Sequence, residues 1–280
     1  MAAACTGIPE PLVGLTREVA VQRVSFGHGH VAWRGFGEGD PLVLLHGGHG
    51  SWLHWARNVA ALARTHRVWV PDLPGYGRSD KPAAPTLDSL VDATMRTLDT
   101  LVGIGRPVKL AGFSFGGLAA ARLAQRRGGV THLALVGPGG SASTRRPRGE
   151  LRTWRGLQVD GEAWNAVMRH NLLVHMLHEP ASIDEAAIHI HGQSCLHARF
   201  HSKGISLQGG LAAAVEGFRG LLLLVCGEHD VTLTPGEVVE RLMQNRPDGR
   251  AHTIPGAGHW VQFESAERVN HLLARWFGSR

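Results

Sequence analysis

A serine flanked by two aromatic residues and two glycines is the first candidate for chemistry in this sequence. The stretch "LAGFSFGG" has the spacing Gly112-x-Ser114-x-Gly116. A strand pattern precedes it and a helix pattern follows it, so we predict that Ser114 lies at a sharp strand-to-helix turn. A Cβ at either flanking glycine would collide with the neighbouring chain at such a turn. A Gly-rich turn with an incidental serine is the alternative, but the flanking elements favour a nucleophile.

A serine nucleophile at neutral pH needs a general base, and the base needs an orienting acid. With a nucleophile at this kind of turn, the chain order is serine, acid, histidine. Asp230 follows the apolar run "LLLLVCG" and is the predicted acid, with Glu228 as the competing carboxylate. Of 18 histidines, His259 in "PGAGHW" lies in a Gly-bracketed loop between the last strand and the closing helix, and it is the predicted base.

Acyl chemistry also requires donors for the negative charge that develops on the carbonyl oxygen. The backbone N–H of Phe115, directly after the nucleophile, is one predicted donor. The other is expected in the loop "HGGHG", which follows the apolar run "PLVLLH", and Gly48 is the predicted residue. A plain flexible turn is the alternative for "HGGHG", but all four parts of the site occur in the expected order.

Alternating strand and helix patterns must position these residues. Eight runs predict strands: "VAVQRVSF", "HVAWRGFG", "PLVLLH", "HRVWVPD", "PVKLAGF", "VTHLALVGP", "LLLLVCG" and "RAHTIPG". The first two predict a hairpin, and the alternation of the others with helical patterns, including one over 51–63, predicts an α/β fold with a mostly parallel sheet and helices on both faces. Residues 139–217 lack buried-strand runs and predict a helical cap insertion. The core domain is then 1–138 and 218–280.

Composition narrows the class of protein. With 280 residues and 43% hydrophobic residues, the chain is long enough for one large core. The formal net charge is +6, but the positive residues are scattered and no nucleic-acid-binding module is visible. The one dense basic run, Thr144–Arg155, predicts either a solvated surface segment or a positive field that attracts small anionic substrates.

The same survey predicts a cytoplasmic protein without a metal or cofactor. Cys5, Cys195 and Cys226 show no metal-binding spacing and fit a reducing compartment. The N-terminus has no export signal, and no window is apolar enough to span a membrane. We therefore expect a small-molecule substrate as the partner, neither nucleic acid nor a membrane, with a homodimer left open.

These motifs resemble the α/β-hydrolase family over nearly the whole chain, from "HGG" through "PDLPGYGRSD" and "GFSFGG" to "GEHD" and "GHWVQFE". The resemblance implies a helical cap over the site. "GHW", "QFE" and the Trp and Arg-Asn residues of 52–58 resemble the hydrolases that cleave C–C bonds in aromatic ring-fission products. That group has asparagines where this chain has Phe113 and His54. Phe113, His54, Trp260 and Arg199 are the candidate substrate-binding residues, and Arg169 is a second candidate for a carboxylate.

The sequence favours a cofactor-independent serine hydrolase that cleaves a small, partly apolar ester through an acyl-enzyme. Phe113 offers no hydrogen bond for the dienolate that C–C hydrolysis requires, so an ester is the first expectation. A C–C hydrolase of the 2-hydroxy-6-oxo-dienoate type is the alternative. A ligand receptor and an acyl transferase on the same fold are further hypotheses.

Overall fold

A computed structural model describes residues 8–17 and 19–278 of the chain. Within them the strands form one eight-stranded sheet in the order β1-β2-β4-β3-β5-β6-β7-β8. The strands are β1 (Gln22–Ser25), β2 (His30–Phe36), β3 (Asp40–Leu45), β4 (His66–Asp72), β5 (Val108–Phe113), β6 (Val130–Val136), β7 (Leu221–Gly227) and β8 (Arg250–Ile254). β2 pairs antiparallel with β1 and with β4, and all other pairs are parallel. The predicted mostly parallel eight-stranded sheet is confirmed.

The central strands are apolar throughout because both faces of the sheet are covered. In β3, Leu42 and Leu44 pack into one core cluster, whereas Val43 and Leu45 pack into the other. All four side chains are fully buried. Successive side chains of a strand point to opposite faces, so a run without polar residues is the pattern expected of a strand between two layers of helices.

The helices form these two layers and the cover above the sheet. They are α1 (Glu10–Arg17), α2 (Val59–Leu62), α3 (Leu87–Val102), α4 (Phe115–Arg127), α5 (Glu162–His175), α6 (Glu185–Leu196), α7 (Ser202–Leu207), α8 (Leu211–Glu216), α9 (Pro235–Met243), α10 (Val261–Glu264) and α11 (Ala266–Gly278). Helices α3, α4, α8 and α9 contribute to one core cluster. Helices α1, α2, α5, α6 and α11 contribute to the other, so the predicted helices on both faces are confirmed.

The prediction of one continuous helix over 51–63 is wrong. The segment forms a 3-10 turn at Trp52–Trp55, and the short helix α2 begins only at Val59. The N–H of Trp52 donates to a carboxylate oxygen of Asp72, and the N–H of His54 donates to the carbonyl of Ser51. These bonds fix a tight turn beside the "HGGHG" loop, in place of a continuous helix.

Residues 139–217 contain the four helices α5 to α8 between β6 and β7. The last of them packs on α4 of the core. In α8, Leu211 and Ala214 pack with Leu118 and Ala121 of α4 in the core under the sheet. The domain limits at 138 and 218 stay a prediction, and the packing of α8 assigns the end of the insertion to the core layer.

The other sequence-based expectations concern cysteines and segments. Cys226 is buried in β7 as a core residue, whereas Cys5 and the predicted absence of an export signal lie outside the described residues. Within the described part of the chain, the helices are all too short or too polar to cross a membrane.

Candidate active site

Ser114 occupies the strained turn that its glycine neighbours predict. It joins β5 to α4 with φ 54° and ψ −121°, a backbone conformation that residues other than glycine rarely adopt. A Cβ on Gly112 would lie 2.2 Å from the carbonyl oxygen of Gly116, and one on Gly116 would lie 2.3 Å from that of His46. Both glycines are therefore required by backbone packing. The turn presents the Ser114 side chain at the carboxyl end of the sheet.

The structure brings Ser114, His259 and Asp230 together in one chain of hydrogen bonds. Ser114 Oγ lies 2.9 Å from His259 Nε2, and His259 Nδ1 lies 2.8 Å from Asp230 Oδ2. Asp230 is fully buried in the loop after β7, and His259 lies in the loop between β8 and α10. With Nδ1–H donating to the carboxylate, Nε2 is left to accept the serine proton. This arrangement can activate a hydroxyl for attack on a carbonyl.

Thr232 completes the surroundings of Asp230, and sequence reasoning missed it. Its N–H and its hydroxyl donate to Asp230 Oδ1 at 2.7 and 2.8 Å, and the same hydroxyl lies 3.0 Å from His259 Nδ1. The competing carboxylate, Glu228, faces elsewhere and accepts from the N–H of Gly256 at 2.9 Å. A hydroxyl residue two positions after the acid was the only signal for Thr232.

The two predicted oxyanion donors both line the cavity beside Ser114. Neither the N–H of Gly48 nor that of Phe115 donates a hydrogen bond to another described residue. The N–H of the preceding Gly47 is already used, because it donates to His54 Nδ1 at 3.2 Å. The geometry thus leaves two unused donors next to the serine, as stabilisation of an oxyanion requires.

A cavity of about 430 Å³ opens beside Ser114, and the candidate substrate-binding residues lie at different positions relative to it. Phe113 lines it, with its ring centroid 4.9 Å from that of His259. His54 and Trp260 do not line it. The His54 ring lies behind Phe113 at 5.3 Å, and Trp260 Nε1 donates to the His54 carbonyl at 2.9 Å. Both are buried in this layer behind the cavity wall, so the structure does not place them in the wall itself, and their contact with substrate stays a prediction.

Arg199 is also placed away from the cavity. Its guanidinium donates to the carbonyl oxygens of Gly77 and Ser79, where it fixes the loop after β4. Arg169, the second candidate, donates to the carbonyl of Ile183. The two arginines therefore bind backbone carbonyl oxygens of the protein itself, and the carboxylate-binding role assigned to Arg199 stays a prediction.

Other basic residues line the cavity instead. None of them forms an ion pair with a described residue. They are Arg145, Arg148, Arg152, Arg155 and Lys203. All five are exposed, at the cavity mouth, and four of them belong to the basic run Thr144–Arg155. Among the described residues, no aspartate or glutamate lines this cavity. Of the two predictions for the basic run, this placement favours a positive field at the site.

Histidines in and around the cavity are held in the neutral form. Burial, followed by the neighbouring His259 and Arg148, lowers the pKa of His175 well below its ordinary value. Burial lowers the pKa of His191 to about 4. His54 Nε2 and His175 Nδ1 are buried and have no partner among the described residues. No cluster of three or more His, Cys, Asp or Glu side chains within the described residues is placed to hold a metal ion.

Comparison with known proteins gives the family. The model of the α/β-hydrolase family matches residues 42–272, so the chain belongs to this family and is a hydrolase. The solved structure of naproxen esterase from Bacillus subtilis superimposes with a TM-score of 0.73 at 21% identity, covering 96% of this chain and 95% of that one. At this identity the likeness shows the fold.

Two relatives in sequence carry more specific names. The chain is 28% identical over 252 residues to 2-hydroxy-6-oxo-6-phenylhexa-2,4-dienoate hydrolase of Burkholderia cepacia, covering 84% of this chain and 87% of the relative. It is 30% identical over 254 residues to 2-hydroxy-6-oxononadienedioate/2-hydroxy-6-oxononatrienedioate hydrolase of Burkholderia vietnamiensis, covering 84% and 85% respectively.

Proposed function

We propose that this hydrolase cleaves a C–C bond in a carboxylate-bearing product of aromatic ring fission, of the 2-hydroxy-6-oxo-dienoate class. The observation that carries the proposal is the cavity mouth, where five basic side chains have no acidic partner. An anionic substrate would supply the missing negative charge. The names of the relatives in sequence support the same class. The proposal reverses the order of the two bond types that the sequence alone favoured.

The site would act on the keto form of such a substrate through an acyl-enzyme. His259 Nε2 takes the Ser114 proton as Oγ attacks the 6-oxo carbon, and the N–H groups of Gly48 and Phe115 hold the oxyanion. The bond between carbons 5 and 6 then breaks. Its electron pair moves through the conjugated chain to the 2-oxo oxygen, which takes the proton that His259 Nε2 received from Ser114, so His259 is neutral again. Asp230 stabilises His259 whenever the ring carries this extra proton.

Water completes the reaction. His259 takes a proton from a water molecule, which attacks the acyl carbon bonded to Ser114 Oγ. The bond between the acyl carbon and Oγ breaks, and Oγ regains its proton from His259. A carboxylic acid leaves, and the serine is restored. The sum is one substrate plus one water giving a carboxylic acid and a 2-hydroxydienoate.

Ester hydrolysis is the second candidate, and Phe113 is the observation that favours it. This apolar ring lines the cavity directly beside the nucleophile, where it donates no hydrogen bond to a dienolate. A hydrogen bond missing from a charged group costs roughly 1.5–3 kcal/mol. An ester carries no such charge before attack, so the same wall does not slow its cleavage.

A side-by-side measurement of kcat/KM separates the two functions. The substrates are the 6-phenyl dienoate, p-nitrophenyl butyrate and the p-nitrophenyl hemiester of succinic acid. The two esters differ in the carboxylate, so they separate the charge requirement from the bond type. We expect the dienoate to exceed both esters by at least about tenfold, and the hemiester to exceed the butyrate. Dienoate turnover below that of the butyrate would replace the proposal with ester hydrolysis. Ser114→Ala is the control that should abolish all three activities.

A further inference from the structure

A histidine of α5 lies in the cavity wall beside the catalytic base. His175 is the last residue of this helix, and its side chain lines the cavity. Its ring centroid lies 6.0 Å from that of His259, and the two ring planes are inclined by 44°. The residues that follow the two rings are joined directly, since the N–H of Trp260 donates to the carbonyl of Met176 at 2.7 Å. The backbone therefore fixes His175 relative to His259.

Glu264, of the motif "QFE", strengthens the same connection. Its carboxylate accepts from the N–H of Gly258, just before the catalytic base, at 2.6 Å. It also accepts from the N–H groups of His178 and Glu179, just after α5, at 2.9 and 2.7 Å. The end of α5 and the loop of His259 thus form one hydrogen-bonded unit.

The ring nitrogens of His175 are left for a ligand. Nδ1 is buried and has no partner among the described residues, and Nε2 makes no hydrogen bond with them either. The proton of the neutral ring is best placed on Nε2, where a substrate can accept it, because N–H groups are seldom left unpaired inside a protein. Burial is the main cause that lowers the pKa of His175, so the ring adds no positive charge beside a protonated His259.

One oxygen of a substrate can contact both rings. A hydrogen bond of about 2.9 Å from a ring nitrogen places its acceptor about 4 Å from the ring centroid. Two rings whose centroids are 6.0 Å apart can therefore share an acceptor. The leaving group is the part of the substrate that receives a proton from His259 Nε2. Its oxygen consequently comes within reach of His175.

We propose that His175 is a further catalytic residue, whose Nε2–H donates a hydrogen bond to the oxygen of the leaving group. When the tetrahedral intermediate collapses, the bond from the acyl carbon to the leaving group breaks, and its electron pair moves to that oxygen. His259 Nε2 delivers to the oxygen the proton taken from Ser114, and His175 keeps its own proton. The inference rests on the proposed function in that the oxygen is then the 2-oxo oxygen, which Phe113 cannot stabilise. With an ester it is the alcohol oxygen.

Two butyrate esters test the inference because they differ only in the leaving group. p-Nitrophenyl butyrate releases a weakly basic phenolate, whereas phenyl butyrate releases a more basic one that needs more stabilisation. Both form the same acyl-enzyme, and kcat/KM includes the step in which the leaving group departs. We expect His175→Phe to lower kcat/KM at least about tenfold for phenyl butyrate and far less for p-nitrophenyl butyrate.

Further variants separate a hydrogen bond from a structural role. His175→Gln keeps an N–H donor and should recover most of the activity on phenyl butyrate. Leu173→Phe introduces the same ring at an exposed site of α5 away from the cavity, and it should leave both esters unaffected. Equal losses on the two esters in His175→Phe would overturn the inference. Failure of the parent protein to cleave the dienoate would instead overturn the proposed function, and the comparison of the esters would stand.

Discussion

The bonds around Ser114 and His259 determine how single substitutions should combine. We expect Ser114→Ala and His259→Ala each to lower kcat by several orders of magnitude. The double variant should be little worse than either, because the residues act as one unit. Steady-state kinetics of the three proteins on one substrate measures this, and additive losses would contradict a shared role. Asp230→Asn should fall in the same unit, whereas Glu228→Gln is the matched control and should retain activity.

Thr232 gives a second prediction at this scale. Thr232→Val removes the hydroxyl that donates to Asp230 Oδ1 at 2.8 Å and keeps the backbone bond. A hydrogen bond to a charged group contributes roughly 1.5–3 kcal/mol, so kcat should fall about tenfold or more. Thr232→Ser keeps the hydroxyl and should recover most of the activity. Measuring kcat and KM separately is decisive: a rise in KM alone would make Thr232 a substrate contact.

Single residues also show where sequence reasoning stops. Ser114, Asp230 and His259 could be predicted because each follows a strand, and the carboxyl ends of parallel strands meet at one edge. His54, Trp260 and Arg199 were expected in the cavity wall, and the structure places them outside it. Position in the chain gives the element of a residue, but it does not show whether a side chain faces a cavity or the layer behind it.

At the scale of elements, the contact between α4 and the end of β3 depends on glycine. Gly116→Ala would place a Cβ 2.3 Å from the carbonyl oxygen of His46, and the backbone there must move. Such overpacking costs about 1–3 kcal/mol. Gly14→Ala in α1 is the matched control, since nothing lies within 4 Å of its Cβ position. Alanine there should stabilise by roughly 0.5–1 kcal/mol. Urea unfolding of both variants measures the difference, and equal effects would refute the argument.

The elements themselves were predictable to different degrees. The central strands were found because burial on both faces leaves an uninterrupted apolar run, as in β3. The turn at Trp52–Trp55 was missed because its cause, the bond from Trp52 N–H to Asp72, joins residues far apart in sequence. The role of the run Thr144–Arg155 was open for the same reason, since only the folded chain brings it to the cavity.

At the scale of the whole molecule, buried histidines make stability depend on pH. Burial lowers the pKa of His46 from 6.5 to about 4. Its Nδ1–H donates to the Gly47 carbonyl, and Nε2 accepts from the N–H of Leu73, so the neutral ring has no site for another proton. The stabilisation is present above the unfolded pKa of 6.5 and is lost as pH falls toward 4. His54, His175 and His191 shift in the same direction.

We therefore expect the free energy of unfolding to decrease between pH 7 and pH 4.5. With 1.36 kcal/mol per pKa unit, His46 alone contributes about 2 kcal/mol to the decrease over this pH range. Urea titrations at several pH values measure it. His28→Gln, at an exposed histidine, should follow the same curve as the parent protein. A urea concentration at half-unfolding that stays constant over this pH range would show that protonation of the buried rings does not lower stability.

The φ of 54° at Ser114 serves catalysis but lowers the stability of the fold. Glycine adopts such a conformation freely, whereas serine holds it at a cost of about 1–3 kcal/mol. Ser114→Gly should therefore melt at a higher temperature than the parent while it hydrolyses nothing. In a lineage released from selection for activity, this position would drift toward glycine. Selection for activity would thus retain a serine that lowers the stability of the protein.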